Sequence, residues 1–187
     1  VALSEASDRR RTVGDAVFML GPNSWVSVDA RLPGPLLAEA VRGGGLDALR
    51  GYRVVRLEYP VPDEPGSRLD LLLEGPAGLA LVEAKSVTLV EKDGTALFPD
   101  APTLRGQRHL QVLANVRRAG MEALVVFVAQ RPDALRFSPH RAADPAFSRG
   151  LVEAARQGVK VLAFSCRVRP PRVEILRPIE VRLDEPA

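Results

Sequence analysis

Leu79-Ala80-Leu81-Val82-Glu83-Ala84-Lys85-Ser86-Val87 is the stretch that most narrows what this chain can become. Its apolar content is that of a buried strand, yet two charges interrupt it. Side chains alternate along a strand, so Glu83 and Lys85 share one face with Leu81 and Val87. A buried isolated charge is costly, so the two must be paired, hydrated or bound to a metal. Lysine is scarce here: of 26 Lys plus Arg only three are Lys (Lys85, Lys92, Lys160). One of the three standing inside an apolar strand is therefore informative.

The preceding apolar run, Leu71-Leu72-Leu73, carries Asp70 just before it, and Glu74-Gly75-Pro76-Ala77-Gly78 joins the two runs as a short turn. The spacing predicts a hairpin of 68–74 and 79–90 in which Asp70 comes near Glu83. Two carboxylates held that close are poor neighbours unless a cation lies between them. Mg²⁺ takes hard oxygen ligands and commonly one or two carboxylates. The residues alone leave a plainer reading open, a Glu83–Lys85 ion pair on the surface of an edge strand.

The surrounding pattern predicts the frame. Ala16–Leu20 and Trp25–Val28 read as two short strands around Gly21-Pro22-Asn23-Ser24. From Pro33 the period changes: Leu36, Leu37, Ala40 and Val41 repeat at helical spacing up to Gly43-Gly44-Gly45. A strand follows over 51–61, then the hairpin, a helix over about 103–119, an apolar strand at 124–128, a helix over about 145–157 capped by Asp144 with Pro145 at its first position, and strands at 159–164 and 173–181. Hairpins first and crossover helices later predict an α/β domain: a mixed sheet with helices on both faces over 33–187, preceded by a β segment over 1–32.

The helix at 103–119 adds a second clue. No acid occurs between Ala101 and Met121, while Arg105, Arg108, Arg117 and Arg118 do. Arg105 and His109 fall at i and i+4 on the stripe that carries Val112, Leu113 and Val116. These groups read either as the lining of a phosphate site or as local structure, with Arg105 capping its own turn and His109 a satisfied core histidine. Arg9-Arg10-Arg11 is a further basic run, and the chain carries a formal charge of +3.

Other chemistries are poorly represented. A single cysteine, Cys166, excludes a disulfide framework or multi-cysteine zinc site within these residues. The two histidines, His109 and His140, lack metal spacing, and no nucleophile elbow or phosphate loop occurs. No apolar run approaches the ~18 residues of a membrane span, and Val1–Arg11 lacks the apolar core of a secretory signal. A reducing, cytoplasmic setting and no membrane partner are the expectations.

Taken together, Ser67-Arg68-Leu69-Asp70, Val82-Glu83-Ala84-Lys85-Ser86-Val87-Thr88-Leu89, Phe98-Pro99-Asp100-Ala101-Pro102-Thr103-Leu104-Arg105-Gly106-Gln107-Arg108-His109-Leu110 and Gly158-Val159 with Leu162-Ala163-Phe164 resemble the sugar fermentation stimulation protein A family, in order from about residue 23 to 183. The resemblance implies a DNA-binding protein in which an OB-type barrel precedes a PD-(D/E)xK, restriction-endonuclease-like domain. Asp70, Glu83 and Lys85 match the nuclease-like catalytic signature, with Asp70 and Glu83 as ligands of Mg²⁺ or Mn²⁺. Glu39 sits where such folds often place an extra acid. Thr103, Arg105, Gln107 and His109 match the family's helix motif and, with Arg108, become nucleic-acid contacts. The chain departs from the pattern in three ways: most of the barrel and its Asn-Thr-Gly turn are missing, Gly34-Pro35 replaces Asn-Arg, and Arg108 stands where Lys is common. Two functions follow from the resemblance, metal-dependent DNA phosphodiester hydrolysis, or a non-catalytic DNA-binding regulator of sugar-metabolism genes on the same scaffold.

Overall fold

The computed structural model describes residues 2–5, 14–22, 24–62 and 66–183. The Arg9–Arg11 run lies outside the described residues. Three sheets carry the strands: β1 (Ala2–Glu5), β2 (Gly14–Leu20) and β3 (Trp25–Ser27) form one; β4 (Arg53–Pro60), β5 (Arg68–Gly75), β6 (Gly78–Val87), β8 (Glu122–Ala129), β10 (Lys160–Arg169) and β11 (Arg172–Pro178) form the central one; β7 (Thr95–Phe98), β9 (Arg136–Pro139) and β12 (Glu180–Val181) form a small third. The helices are α1 (Pro33–Arg42), α2 (Leu104–Arg118) and α3 (Pro145–Arg156). Among the described residues no helix is long and apolar enough to cross a membrane.

The central order is β11-β10-β8-β6-β5-β4. β4, β5 and β6 run antiparallel as a meander, while β6, β8 and β10 run parallel. Each parallel step is made by a helix, α2 between β6 and β8 and α3 between β8 and β10. Two successive crossovers of one hand in one direction lay both helices on one face. β8 shows the consequence in its alternation. Val125, Phe127 and Ala129 pack with Leu110 and Leu113 of α2 and with Phe147 and Leu151 of α3. Leu124, Val126 and Val128 pack on the other face with Leu37 and Val41 of α1. β8 is buried on both sides, and so reads as an unbroken apolar run.

The strands at 95–98 and 136–139 were not foreseen, whereas the stretch expected as strand over 173–181 is found as β11 and β12 on either side of Ile179. β7 and β9 pair parallel over only four residues, and β9 ends in a proline, so neither has a detectable period. Their contribution is aromatic: Phe98 and Phe137 enclose Phe127 from the sheet, with ring centroids at 5.5 and 3.9 Å. The strand expected to run to residue 90 ends at Val87. Beyond it the chain bends away, and Val90 bridges Ala96 instead.

One acid joins the two crossover helices. Asp144 caps α3 by accepting from the Phe147 N–H at 2.8 Å. It also accepts from the Thr103 N–H at 2.8 Å and from the Gln107 side-chain amide Nε2 at 3.1 and 3.2 Å. Thr103 in turn caps α2 through Oγ1 and the Gly106 N–H. Asp144 is 2% exposed, so these donors would lose their partner without water to replace it. Asp144→Ala should destabilise the fold by about 3 kcal/mol, read as a lowered urea midpoint at unchanged slope.

Candidate metal and phosphate site

The meander and the first crossover meet at the end of β6. Leu71 pairs with Val82 and Leu72 with Leu81. Continuing this antiparallel register sets Asp70 opposite Glu83, where side chains are close neighbours. The expected hairpin register is the one found. β6 lies between β5 and β8, and Glu83 is 5% exposed, so the surface ion pair on an edge strand is overturned.

Glu83 is held asymmetrically. Its Oε1 accepts from Lys85 Nζ at 2.6 Å and lies 2.5 Å from His109 Nδ1. Its Oε2 is buried and has no hydrogen-bond partner. Burial works against the charge, but the His109 and Lys85 contacts more than offset it, and the carboxyl lies below the ordinary glutamate range. Asp70 goes the other way. Burial and then the Glu83 charge push its pKa up to about 6, although Oδ2 accepts from the Ala84 N–H at 2.7 Å. The two carboxylates are thus unequal in the metal-free protein.

Asp70, Glu83 and Lys85 line a cleft of about 590 Å³ together with Gly34, Ser86 and Arg105. Gly34 lies at the start of α1, and a Cβ there would stand 3.3 Å from the Asp70 Cβ. A glycine in that first turn leaves space beside the acid. Glu39 does not join the cleft. Five residues of helix turn the chain through about 500°, so a residue five beyond Gly34 faces well away from it. Glu39 is exposed and lines a separate hollow with Val173 and Ile175. Its expected part as an additional metal ligand is therefore corrected. Among the described residues no group of three or more His, Cys, Asp and Glu could hold a metal.

The helix motif divides into separate tasks. Arg105 is exposed and reaches the cleft wall. Arg108 is exposed one turn further on, beside a neighbouring hollow. His109 is 5% exposed and pinned to Glu83, so the structure joins it to the acids where a phosphate contact was expected. Thr103 and Gln107, also expected on nucleic acid, have their polar atoms engaged in the capping of α2 and the bond to Asp144.

Sequence reading missed the residue that attaches the first sheet to this site. Gln130 follows the apolar β8 run and is fully buried. Its Oε1 accepts from Ser27 Oγ at 2.9 Å, and its Nε2 donates to Asp29 O at 3.0 Å and to Ser86 Oγ at 2.7 Å. A lone polar residue ending an all-apolar strand was the available signal. Arg31, on the segment Gln130 holds, also lines the cleft and pairs with Asp29 at 2.7 Å.

Asp70 carries a checkable pH dependence. Its folded pKa is raised, so its contribution favours the fold below the ordinary 3.8 and is lost as pH rises through about 6. A shift of that size corresponds to about 3 kcal/mol. Asp70→Asn should therefore raise metal-free stability at pH 8 by up to about 3 kcal/mol, and the gain should vanish near pH 4 in chemical denaturation.

Comparison with known proteins bears on this geometry. A family model described as the sugar fermentation stimulation protein RE domain matches residues 31–172. A sugar fermentation stimulation protein homolog of Moorella thermoacetica is 42% identical over 175 residues, covering 93% of this chain and 74% of the relative. A homolog of Geobacter sp. strain M21 is 46% identical over 160 residues, covering 86% and 68%. Among solved structures, Pyrococcus furiosus SfsA in complex with Ca²⁺ superimposes with a TM-score of 0.85 at 28% identity, covering 96% of this chain and 76% of that one.

Proposed function

The chain belongs to the sugar fermentation stimulation protein family, and from that premise we propose that it binds nucleic acid and hydrolyses phosphodiester bonds at Asp70, Glu83 and Lys85 with a divalent cation. Residues 33–187 are read as the nuclease-like domain and 1–32 as the end of an OB-type β domain. The single observation that carries the reading is Glu83 Oε2, a buried carboxylate oxygen with no protein partner, on the strand opposite Asp70. A decayed site would replace so costly a group, whereas a cation satisfies it.

The residues suit a hard cation. Asp70 and Glu83 Oε2 would hold Mg²⁺ or Mn²⁺, and the Ca²⁺ complex of the Pyrococcus furiosus relative supports carrying a divalent site over to this chain. Such an ion supplies Lewis-acid polarisation of the phosphate and a more acidic attacking water. The protein's own groups do the rest. His109 fixes Glu83 through Oε1, which keeps Oε2 turned to the ligand side. Lys85, whose Nζ donates to Glu83 Oε1, steadies the charge that grows on the phosphate as the water oxygen bonds to phosphorus and the bridging P–O bond breaks. Arg105 on the cleft wall engages an adjacent phosphate oxygen.

Thermal unfolding and cleavage together test this. Mg²⁺ or Mn²⁺ at ten times its Kd should raise the wild-type Tm by about 3–5 °C, and plasmid or single-stranded DNA should be cut. Asp70→Asn and Glu83→Gln should lose both responses. Lys85→Ala should keep the Tm shift and lose cleavage. A Tm shift with no cleavage of any DNA would favour the regulator on the same scaffold, and no Tm shift would remove the metal site.

DNA binding should also depend on salt. Each phosphate neutralised adds about 0.9 to the log–log slope on duplex DNA. Arg105→Ala should lower the slope by about that amount, measured by anisotropy across a salt series, whereas an unchanged slope would take Arg105 out of the interface.

A further inference from the structure

Beside the metal cleft lies a second hollow of about 490 Å³, within the ~300–1,000 Å³ range of ligand-sized sites. Its lining includes Arg68, Arg105, Arg108 and Leu104, and no acid. Arg105 also lines the cleft, and a third hollow lined by Glu58, Arg68, Asp70 and Arg105 shares residues with both. The three hollows share Arg105, and the outer two also share Arg68, so the basic lining extends from the Asp70 cleft to the start of α2.

Leu104 is the unusual member. It is 82% exposed, the most exposed large apolar side chain among the described residues. A lone exposed leucine needs no explanation, but this one stands among three guanidinium-bearing side chains at the rim of a candidate catalytic cleft. Arginines alone suit the sugar-phosphate backbone of any nucleic acid. An apolar side chain set among them suits a different surface, the flat face of a base. In an intact duplex those faces are hidden in the stack, and only a strand whose base has left the stack offers one. Arg68 pairs with Glu58 at 3.1 Å, but both side chains are well exposed, so that pair is weak and a phosphate can compete for the guanidinium.

We infer that this shelf receives the nucleotide next to the scissile phosphate, with its base against Leu104 and its backbone on Arg68, Arg105 and Arg108. The substrate class is then nucleic acid with an unpaired base at the cut, a single strand or a strand–duplex junction, in preference to a blunt duplex. The inference rests on the reading of the cleft as a nucleic-acid site, and it adds a specificity element that the metal site does not require.

Fluorescence anisotropy with Ca²⁺ tests it on three labelled DNAs: a single strand, the same strand in a blunt duplex, and the duplex with an overhang. The wild type should prefer the single strand and the overhang. Leu104→Ala is a surface change that leaves the fold intact. It should weaken single-strand binding about tenfold and leave duplex binding unchanged, while Arg68→Ala should weaken both. A 2-aminopurine placed in the strand should change emission on binding the wild type and not on binding Leu104→Ala. Equal single-strand affinity of Leu104→Ala and wild type, or preference of the wild type for blunt duplex, overturns the shelf. So does a dimer in sedimentation that Leu104→Glu disperses, since Leu104 would then cover a second copy. Leu104-dependent strand binding without cleavage overturns hydrolysis and keeps the shelf; cleavage indifferent to Leu104 overturns the shelf and keeps the metal site.

Discussion

Asp70 and Glu83 face one another across a buried hairpin, and most of the neighbouring structure answers the repulsion between them. Two like charges a few ångströms apart in a weakly polar interior cannot both remain ionised without compensation. Lys85, His109 and the Ala84 N–H supply part of it. That compensation constrains the fold in return. α2 must begin close enough to β6 for His109 to reach Glu83, which places α2 against the sheet and α3 beside it. α1 must start without a side chain at Gly34, where a Cβ would crowd Asp70. The Glu83 carboxylate is satisfied on one oxygen and bare on the other, and this imbalance is what separates a site from an ordinary buried ion pair.

Much of this was legible from the residues. β8 announced itself as an unbroken apolar run because it is covered on both faces, and α3 because Asp144 and Pro145 are strong start signals. The Asp70–Glu83 register followed from the short turn at 75–78, since a tight turn leaves the strands little freedom to slip. β7 and β9 of the small third sheet were illegible, as they are too short to show a period and are held by the stacking of Phe98, Phe127 and Phe137 rather than by any local preference. Residue types in the α2 motif could not show which way each side chain would be used. His109 and Gln107 lie two residues apart, yet one turns to the acid of β6 and the other to the cap of α3. That choice is made by tertiary contacts about 26 and 37 residues away in the chain. Glu39 failed as a ligand for a related reason: position on a helix next to a site says nothing without the rotation that the helix imposes.

Gln130 bears on how this protein divides. The stretch that matches the family model opens at residue 31, and by resemblance the module would begin there. Hydrogen bonding draws the border elsewhere. The Gln130 side chain, with no access to solvent, spends its oxygen on Ser27 and its nitrogen on Asp29 O and Ser86. Ser86 adjoins Lys85. Excising residues before 31 would strip a buried amide of its hydroxyl donor, Ser27, and of one of its two acceptors, Asp29 O, so the smallest unit that keeps this hydrogen bonding extends back at least to Ser27. Recombination that exchanged the N-terminal β segment among relatives would have to carry a serine, or another hydroxyl donor, into the same place.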